Sequence, residues 1–502
     1  MKEENIRNKF INATKWSTIT EIAAKLVSPV TNMILARIIN PEAFGVVATV
    51  TMIMSFADMF TDAGFQKYLV QHEFKDEDEK FKNANVAFWT NFGISVFLWG
   101  IIIVFREQIA TMVGNPGLGY VVTIACVQLL LTSFSSIQMA LYRRDFDFKT
   151  LFLARMIAVC IPFVITIPLA LLGLSYWALI IGSIMIQLSN AIFMTVKSKW
   201  KPFLFYDIKI LKEMLSFSIW SLIEAVSIWF TSWGDVFVIG IYLNQYYLGI
   251  YKTSTTMVNA LMSLITASIV PVLFSALSRL QDNEEKFRNM YFYTQRFVSI
   301  FVFPLGIGIY LYSELVTKVM LGDKWKEASG IIGVWALTSA IMIVLSHFNS
   351  EVYRAKGKPK LSFLAQILHL IVLVPVCIVS SKYGFWSLVY WRAWIRMEFV
   401  LVHLIIMKYA IGFRIGKTLK NVMPTAISAI AMGILGYLLR QISKGLLWSF
   451  VSIIICSSFY FGVLYLFPDM KEDVNIVLKK IIIKFRYKKN YNIKKQNTDL
   501  VV

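Results

Sequence analysis

Apolar runs of about 18–25 residues recur along this chain almost to its end, separated by short polar stretches rich in lysine and arginine. A helix needs roughly 20 apolar residues to cross the hydrocarbon core of a bilayer. The pattern predicts about fourteen membrane helices, at 14–38, 44–65, 84–105, 118–140, 151–172, 175–196, 213–239, 248–275, 291–312, 331–353, 361–381, 384–409, 421–440 and 446–467. Weaker runs among these leave twelve as the alternative count. The predicted fold class is an all-α polytopic membrane protein.

Polar residues inside the runs fall in stripes. Ser17, Glu21, Lys25, Ser28 and Asn32 share one face of the first span, and Thr51, Ser55, Asp58 and Asp62 share one face of the second. Ser221, Glu224, Ser227, Thr231 and Asp235 do so on the seventh, and Lys252, Thr255, Asn259 and Thr266 fall near one face of the eighth. Lipid does not tolerate such faces, so all four should turn inward onto a wet cavity. Helix-to-helix hydrogen bonding is the competing explanation for any single Ser, Thr or Asn.

Composition agrees with the pattern. Hydrophobic residues make up 57% of the chain and charged residues only 16%, which excludes an ordinary soluble class. The net charge of +20 would point to nucleic acid in a soluble protein. Its distribution says otherwise. Loops on one side carry clusters such as Lys197, Lys199 and Lys201, or Arg354, Lys356, Lys358 and Lys360, while loops on the other side carry few cations. This alternation predicts a cytoplasmic basic side, both termini cytoplasmic, and no nucleic-acid partner. The N-terminal decapeptide reads as a retained end without a cleavage site. The basic tail from Asp469 reads either as a surface helix on the anionic inner leaflet or as a positive stop. Cys126, Cys160, Cys377 and Cys456 all lie in apolar runs and read as small hydrophobes, so no metal or cofactor is implied.

The chain also repeats itself. A shift of 204 residues places Trp16-Ser17 on Trp220-Ser221, Ser28 on Ser232, Asn40 on Asn244, Gly45 on Gly249, Thr49 on Thr253 and Thr51 on Thr255. It also superposes one helix-turn-helix on another. Six spans per half is an even number, so the halves enter the membrane in the same direction. They are expected to be parallel repeats flanking a transport path. The implied organisation is an N-terminal lobe at 1–200, a C-terminal lobe at 201–412, two further spans at 413–468 and a basic tail at 469–502.

The stretch Leu35-Ala36-Arg37-Ile38-Ile39-Asn40-Pro41-Glu42-Ala43-Phe44-Gly45, followed by Phe56-Ala57-Asp58 and Asp62-Ala63-Gly64-Phe65, resembles the opening of bacterial Wzx-type polysaccharide flippases. These belong to the multidrug/oligosaccharidyl-lipid/polysaccharide exporter superfamily. Gln138 to Phe146, Leu248 to Tyr251, Leu321 to Trp325 and Tyr353 to Pro359 also look like segments of that family. The resemblance covers nearly the whole chain. It implies two six-helix lobes around a V-shaped cavity lined by helices 1, 2, 7 and 8. It further implies movement of undecaprenyl-diphosphate-linked oligosaccharide across the cell membrane by alternating access. Expected partners are that lipid-linked glycan, membrane lipids, and the polymerase and chain-length machinery. It fixes no substrate-contact residues.

The charges supply candidates. A glycan-lipid head group needs cations for its diphosphate, and Lys25, Lys252, Arg392 and Arg396 are the candidates. Arg392 and Arg396 lie four apart near mid-span, where snorkelling to water is difficult, so each has a cavity or ion-pair role. Lys25 either pairs with Glu21 or waits for substrate. Asp58, Glu21 and Glu224 are candidate cavity acids or ion-coupling groups. His347, His369 and His403 show no ligand spacing and read as core residues. No GxSxG, HExxH or P-loop occurs and no loop is long enough to form a catalytic domain, so no enzyme is expected. The competing function is a proton- or sodium-coupled multidrug antiporter of the same superfamily.

Overall fold

The computed structural model describes residues 27–62, 64–443 and 445–468, with Trp16, Met470, Lys471 and Asn475; side chains at 62, 217–221, 224 and 268 are outside the description. Every regular element among the described residues is helical. Helix α1 is described over 27–38. It is followed by α2 (Pro41–Asp62), α3 (Glu77–Val104), α4 (Gly119–Arg144), α5 (Phe148–Leu171) and α6 (Tyr176–Lys197). The second half comprises α7 (Ile208–Tyr242), α8 (Gln245–Arg279), α9 (Glu284–Leu311), α10 (Ala328–Ala355) and α11 (Lys360–Ser381). Helix α12 comes in two pieces, Phe385–Trp394 and Arg396–Ile406, and α13 (Ile415–Ile442) and α14 (Leu446–Tyr465) close the bundle.

Twelve of these are long and apolar enough to cross a membrane. The other two are α1, described only in part, and α12, interrupted at Ile395. Fourteen spans are consistent with that count. Helices α7 and α8 are each 35 residues long, about 50 Å at 1.5 Å per residue, so they overrun a bilayer core.

Local chemistry sets the helix starts. Pro41 opens α2 at a position where its missing N–H is no loss. In the repeat, Asn244, the counterpart of Asn40, caps α8 by accepting from Tyr247 N at 3.1 Å. Asp76, Asp147, Asp207 and Asn283 cap α3, α5, α7 and α9 in the same way. Short π-helical turns interrupt α5 at Pro162–Thr166 and α10 at Ile343–His347.

The largest core belongs to the second half and draws in Ala36, Ala48, Met52 and Val113 from the first. The first half has three smaller cores of its own. Helices α13 and α14 pack on α9: Thr425 Oγ1 donates to Ser299 Oγ at 2.8 Å, and the Tyr460 hydroxyl donates to Ile300 O at 2.9 Å. The connector between the halves is clamped to α3. Buried Asn85 donates to the carbonyls of Phe203 and Phe205 and accepts from Phe203 N.

The halves meet most extensively where α2 crosses α8. A Cβ on Gly45 would sit 1.9 Å from Gln245 O, and one on Gly249 would sit 1.8 Å from Pro41 O. No side chain fits at either place, so the backbones touch. The crossing lies at the end of the bundle that carries the poorly charged loops.

Candidate functional site

Two further contacts shut that same end, and they are related by the repeat. Ala36 and Gly240 are equivalent under the 204-residue shift. Trp325, in the loop after α9, donates its indole N–H to Ala36 O at 2.7 Å, and its ring meets Phe44 edge-on. The loop after α3 does the same to α7: Gly114, at φ +80°, lies so close to Gly240 that an added Cβ would overlap Gly240 O. Arg37 and Lys324 add hydrogen bonds to Val319 O and Ile38 O. Each half therefore closes over the helix end of the other, with the Gly45/Gly249 crossing between them.

Below this closed end the polar stripes line two cavities that adjoin at Ser232. The first, of about 580 Å³, lies between α2, α3, α4, α6 and α7. Ser55 and Asp58 of the α2 stripe face it, and Thr132 Oγ1 donates to Asp58 Oδ1 at 3.3 Å. Trp229 and Trp233 of α7 form one wall, and Trp229 Nε1 donates to Ser55 Oγ across the interface between the halves. Among its described lining residues only Asp58 and Lys67 are charged.

The second cavity, of about 300 Å³, lies inside the second half. It is lined by Thr231 and Asp235 of the α7 stripe, Lys252, Thr255 and Asn259 of the α8 stripe, and Arg392 and Arg396 of α12. The Arg392 guanidinium donates from Nε to Asp235 Oδ2 at 2.8 Å. The same oxygen accepts from the Tyr251 hydroxyl at 2.6 Å, and Asp235 Oδ1 accepts from Val236 N at 2.8 Å. Asp235 is thus fully engaged, and Arg392 is charge-compensated in place.

Arg396 differs. It is 6% exposed and donates from Nη1 to Ser339 Oγ at 2.7 Å and weakly to Trp335 O. Its guanidinium lies 4.2 Å above the Trp335 ring, and Trp335 in turn donates to Asn259 Oδ1. No carboxylate among the described residues forms a salt bridge with it or with Lys252. The Lys252 ammonium rests 3.7 Å over the Trp233 ring.

Of the sequence candidates, the structure brings Lys252, Arg392 and Arg396 together in this second cavity and places Asp58 in the first. Glu21 and Lys25 lie outside the described residues, as does the Glu224 side chain. The four stripes do not face one common chamber. Ser28 and Asn32 of α1 line a third pocket, beside Arg155 and Pro162 of α5. Thr266 is buried and bonds to Met262 O within its own helix. His369 and His403 are buried, against Glu398 and Tyr353 respectively.

Sequence reasoning missed Trp335, Tyr251, Asn91 and Gln187. Trp229 and Trp233 carried a usable signal: they are four apart on the α7 span, beside its polar stripe.

Two bundles of apolar helices that enclose adjoining polar cavities, with one end of their interface shut, define a membrane transporter. Residues 34–330 match the family described as "Polysaccharide biosynthesis protein", and the chain belongs to that family. It is similar to the lipopolysaccharide biosynthesis protein WzxC of Escherichia coli K12, at 22% identity over 75% of this chain and 76% of that protein. It is also similar to the succinoglycan biosynthesis transport protein ExoT of Rhizobium meliloti, at 24% over 66% and 67%. A third relative is the teichuronic acid biosynthesis protein TuaB of Bacillus subtilis, at 22% over 86% and 89%. The fold matches that of a multidrug resistance MATE family transporter of the MOP superfamily in an inward-facing conformation, with TM-score 0.61 and 14% identity over 80% of this chain and 99% of the other.

Proposed function

We propose that this protein is a flippase. It carries undecaprenyl-diphosphate-linked oligosaccharide repeat units from the cytoplasmic to the outer leaflet of the bacterial cell membrane, for surface polysaccharide synthesis. The observation that carries this reading is the pair of polar cavities, each set below the sealed α2/α8 crossing. A polar head group enters such a space while its lipid tail stays in the bilayer. The names of the relatives, WzxC and ExoT among them, point to the same process.

The lysine-rich loops lie at the end opposite the crossing, and the positive-inside rule supports a cytoplasmic setting for that end and for both termini. Alternating access then means parting Gly45 from Gly249 and closing the basic end. The polymerase and chain-length machinery are the partners that would take up the delivered glycan.

The multidrug antiporter reading fits the second cavity less well. Its described lining carries three cations against one carboxylate, the wrong sign for a cationic drug. No enzymatic step is assigned: transport of this kind needs binding and motion alone. Deletion of the gene tests the proposal. Lipid-linked repeat units should accumulate on the cytoplasmic side while surface glycan is lost, and unaffected surface glycan would refute it.

A further inference from the structure

The two adjoining cavities differ in chemistry, and the difference matches the two halves of one substrate head group. In the second cavity Asp235 offsets Arg392. Arg396 and Lys252 have no carboxylate partner among the described residues, and both line one space. Among the described residues, Nε and Nη2 of Arg396 find no hydrogen-bond partner, and neither does the Lys252 ammonium. A buried Arg396 and a half-buried Lys252 without a counter-charge are costly, and a bound anion removes that cost. A planar guanidinium fork beside a compact ammonium suits phosphate oxygens. Trp335 lies under the guanidinium, and Arg392, locked to Asp235, anchors the piece of α12 that ends just before Arg396.

The first cavity has the other character. Its walls offer amides and hydroxyls, with Asn91, Gln187, Thr132 and Ser136 among them, beside the faces of Trp229 and Trp233. Asn91 Nδ2 donates to Ser136 Oγ at 2.9 Å, but Asn91 Oδ1 is buried with no hydrogen-bond partner. A buried acceptor without a donor calls for one, and a sugar hydroxyl is such a donor. Ser232 lines both cavities, and Trp233 lines the first while carrying the Lys252 ammonium of the second on its ring.

We propose that these are two subsites of one head-group site, an assignment that rests on the flippase reading. Arg396 and Lys252 hold the diphosphate in the second half, and the Asn91/Gln187/Trp229 cavity of the first half holds the adjoining sugars. The phosphate subsite is then indifferent to the glycan, and glycan selectivity resides in the first half. A loaded head group bridges the halves across Ser232.

Binding to the purified full-length protein tests this, with four probes. These are undecaprenyl diphosphate without sugar, undecaprenol, inorganic pyrophosphate, and the free repeat-unit oligosaccharide cut from the strain's own surface glycan. Arg396→Gln and Lys252→Gln should each weaken undecaprenyl diphosphate by about tenfold or more, the worth of a charge-assisted contact. They should leave the free oligosaccharide unchanged, which also reports that the variants fold. Asn91→Ala and Gln187→Ala should do the reverse.

Undiminished diphosphate binding in Arg396→Gln, or equal loss of both probes in the Asn91 variant, would overturn the assignment. So would wild-type protein that binds undecaprenol as well as undecaprenyl diphosphate. Pyrophosphate that binds as tightly as the lipid, with the same dependence on Arg396, would replace the head group by a free anion. These outcomes leave the flippase reading standing wherever gene deletion traps lipid-linked glycan. Intact surface glycan after deletion, with Arg396-dependent diphosphate binding retained, sinks that reading instead.

Discussion

Gly45 and Gly249 stand 204 residues apart in the sequence and touch in the structure, each where the other's helix leaves no room for a Cβ. They hold equivalent positions in the two halves, so the crossing lies on the axis that relates the repeats. It is a backbone-to-backbone contact between the halves at the closed end, and transport must break it.

Gly249→Ala should therefore favour the state open at this end. The added carbon would lie within 2 Å of Pro41 O. In a background with the four native cysteines replaced, a cysteine at Asn259 should be labelled faster by an impermeant thiol reagent applied outside. Equal rates with and without Gly249→Ala would contradict a seal at the crossing.

Trp325→Phe keeps most of the ring contact with Phe44 but removes the hydrogen bond to Ala36 O. The loss should be about 1 kcal/mol of closed-state stability, roughly a fivefold shift in the open-to-closed ratio. The same labelling assay reads it, and the effect should be smaller than that of Gly249→Ala.

Asp235→Asn leaves a buried Arg392 uncompensated. Removing one partner of a buried pair costs about 3–5 kcal/mol. A large fall in thermal unfolding temperature is expected in detergent. Replacing both Asp235 and Arg392 by apolar residues of similar volume should recover much of it. Full stability in the single variant would mean that the pair at 2.8 Å carries little.

Asn85→Ala removes the clamp on the connector between the halves, freeing the backbone groups of Phe203 and Phe205 that it now satisfies. Protease added at the basic end should cut within 198–207 more readily than in the wild type. Unchanged cleavage would assign the connector's order to Trp89 and Trp200 instead, which also hold it to the first half.

The helices were legible in the sequence because twenty-residue apolar runs and capping residues such as Asn244 are local signals. The break in α12 was not: Trp394, Ile395 and Arg396 include no proline or glycine to announce it. The site was legible in part. Four-residue spacing fixes which side chains share a face, so Lys252, Arg392, Arg396 and Asp58 stood out. Spacing says nothing about which neighbour the face meets. That is why one chamber was expected where α2 and α7/α8 serve two. It is also why Arg392 could not be separated from Arg396. The partner that distinguishes them, Asp235, is 157 residues away in the chain. Trp335 and Asn91 lacked any local mark, since an aromatic or an amide in an apolar run is most often core or helix packing.

Movement of a glycan-lipid from one leaflet to the other is measured directly by reconstitution. Vesicles carrying the purified protein would be loaded with undecaprenyl-diphosphate-linked repeat units in the inner leaflet. Arrival in the outer leaflet would be followed with an impermeant glycosidase. A flippase gives protein-dependent exposure of the glycan, and that exposure should fall sharply in Arg396→Gln. Exposure no faster than in protein-free vesicles, alongside proton-driven export of a cationic dye by the same preparation, would contradict it.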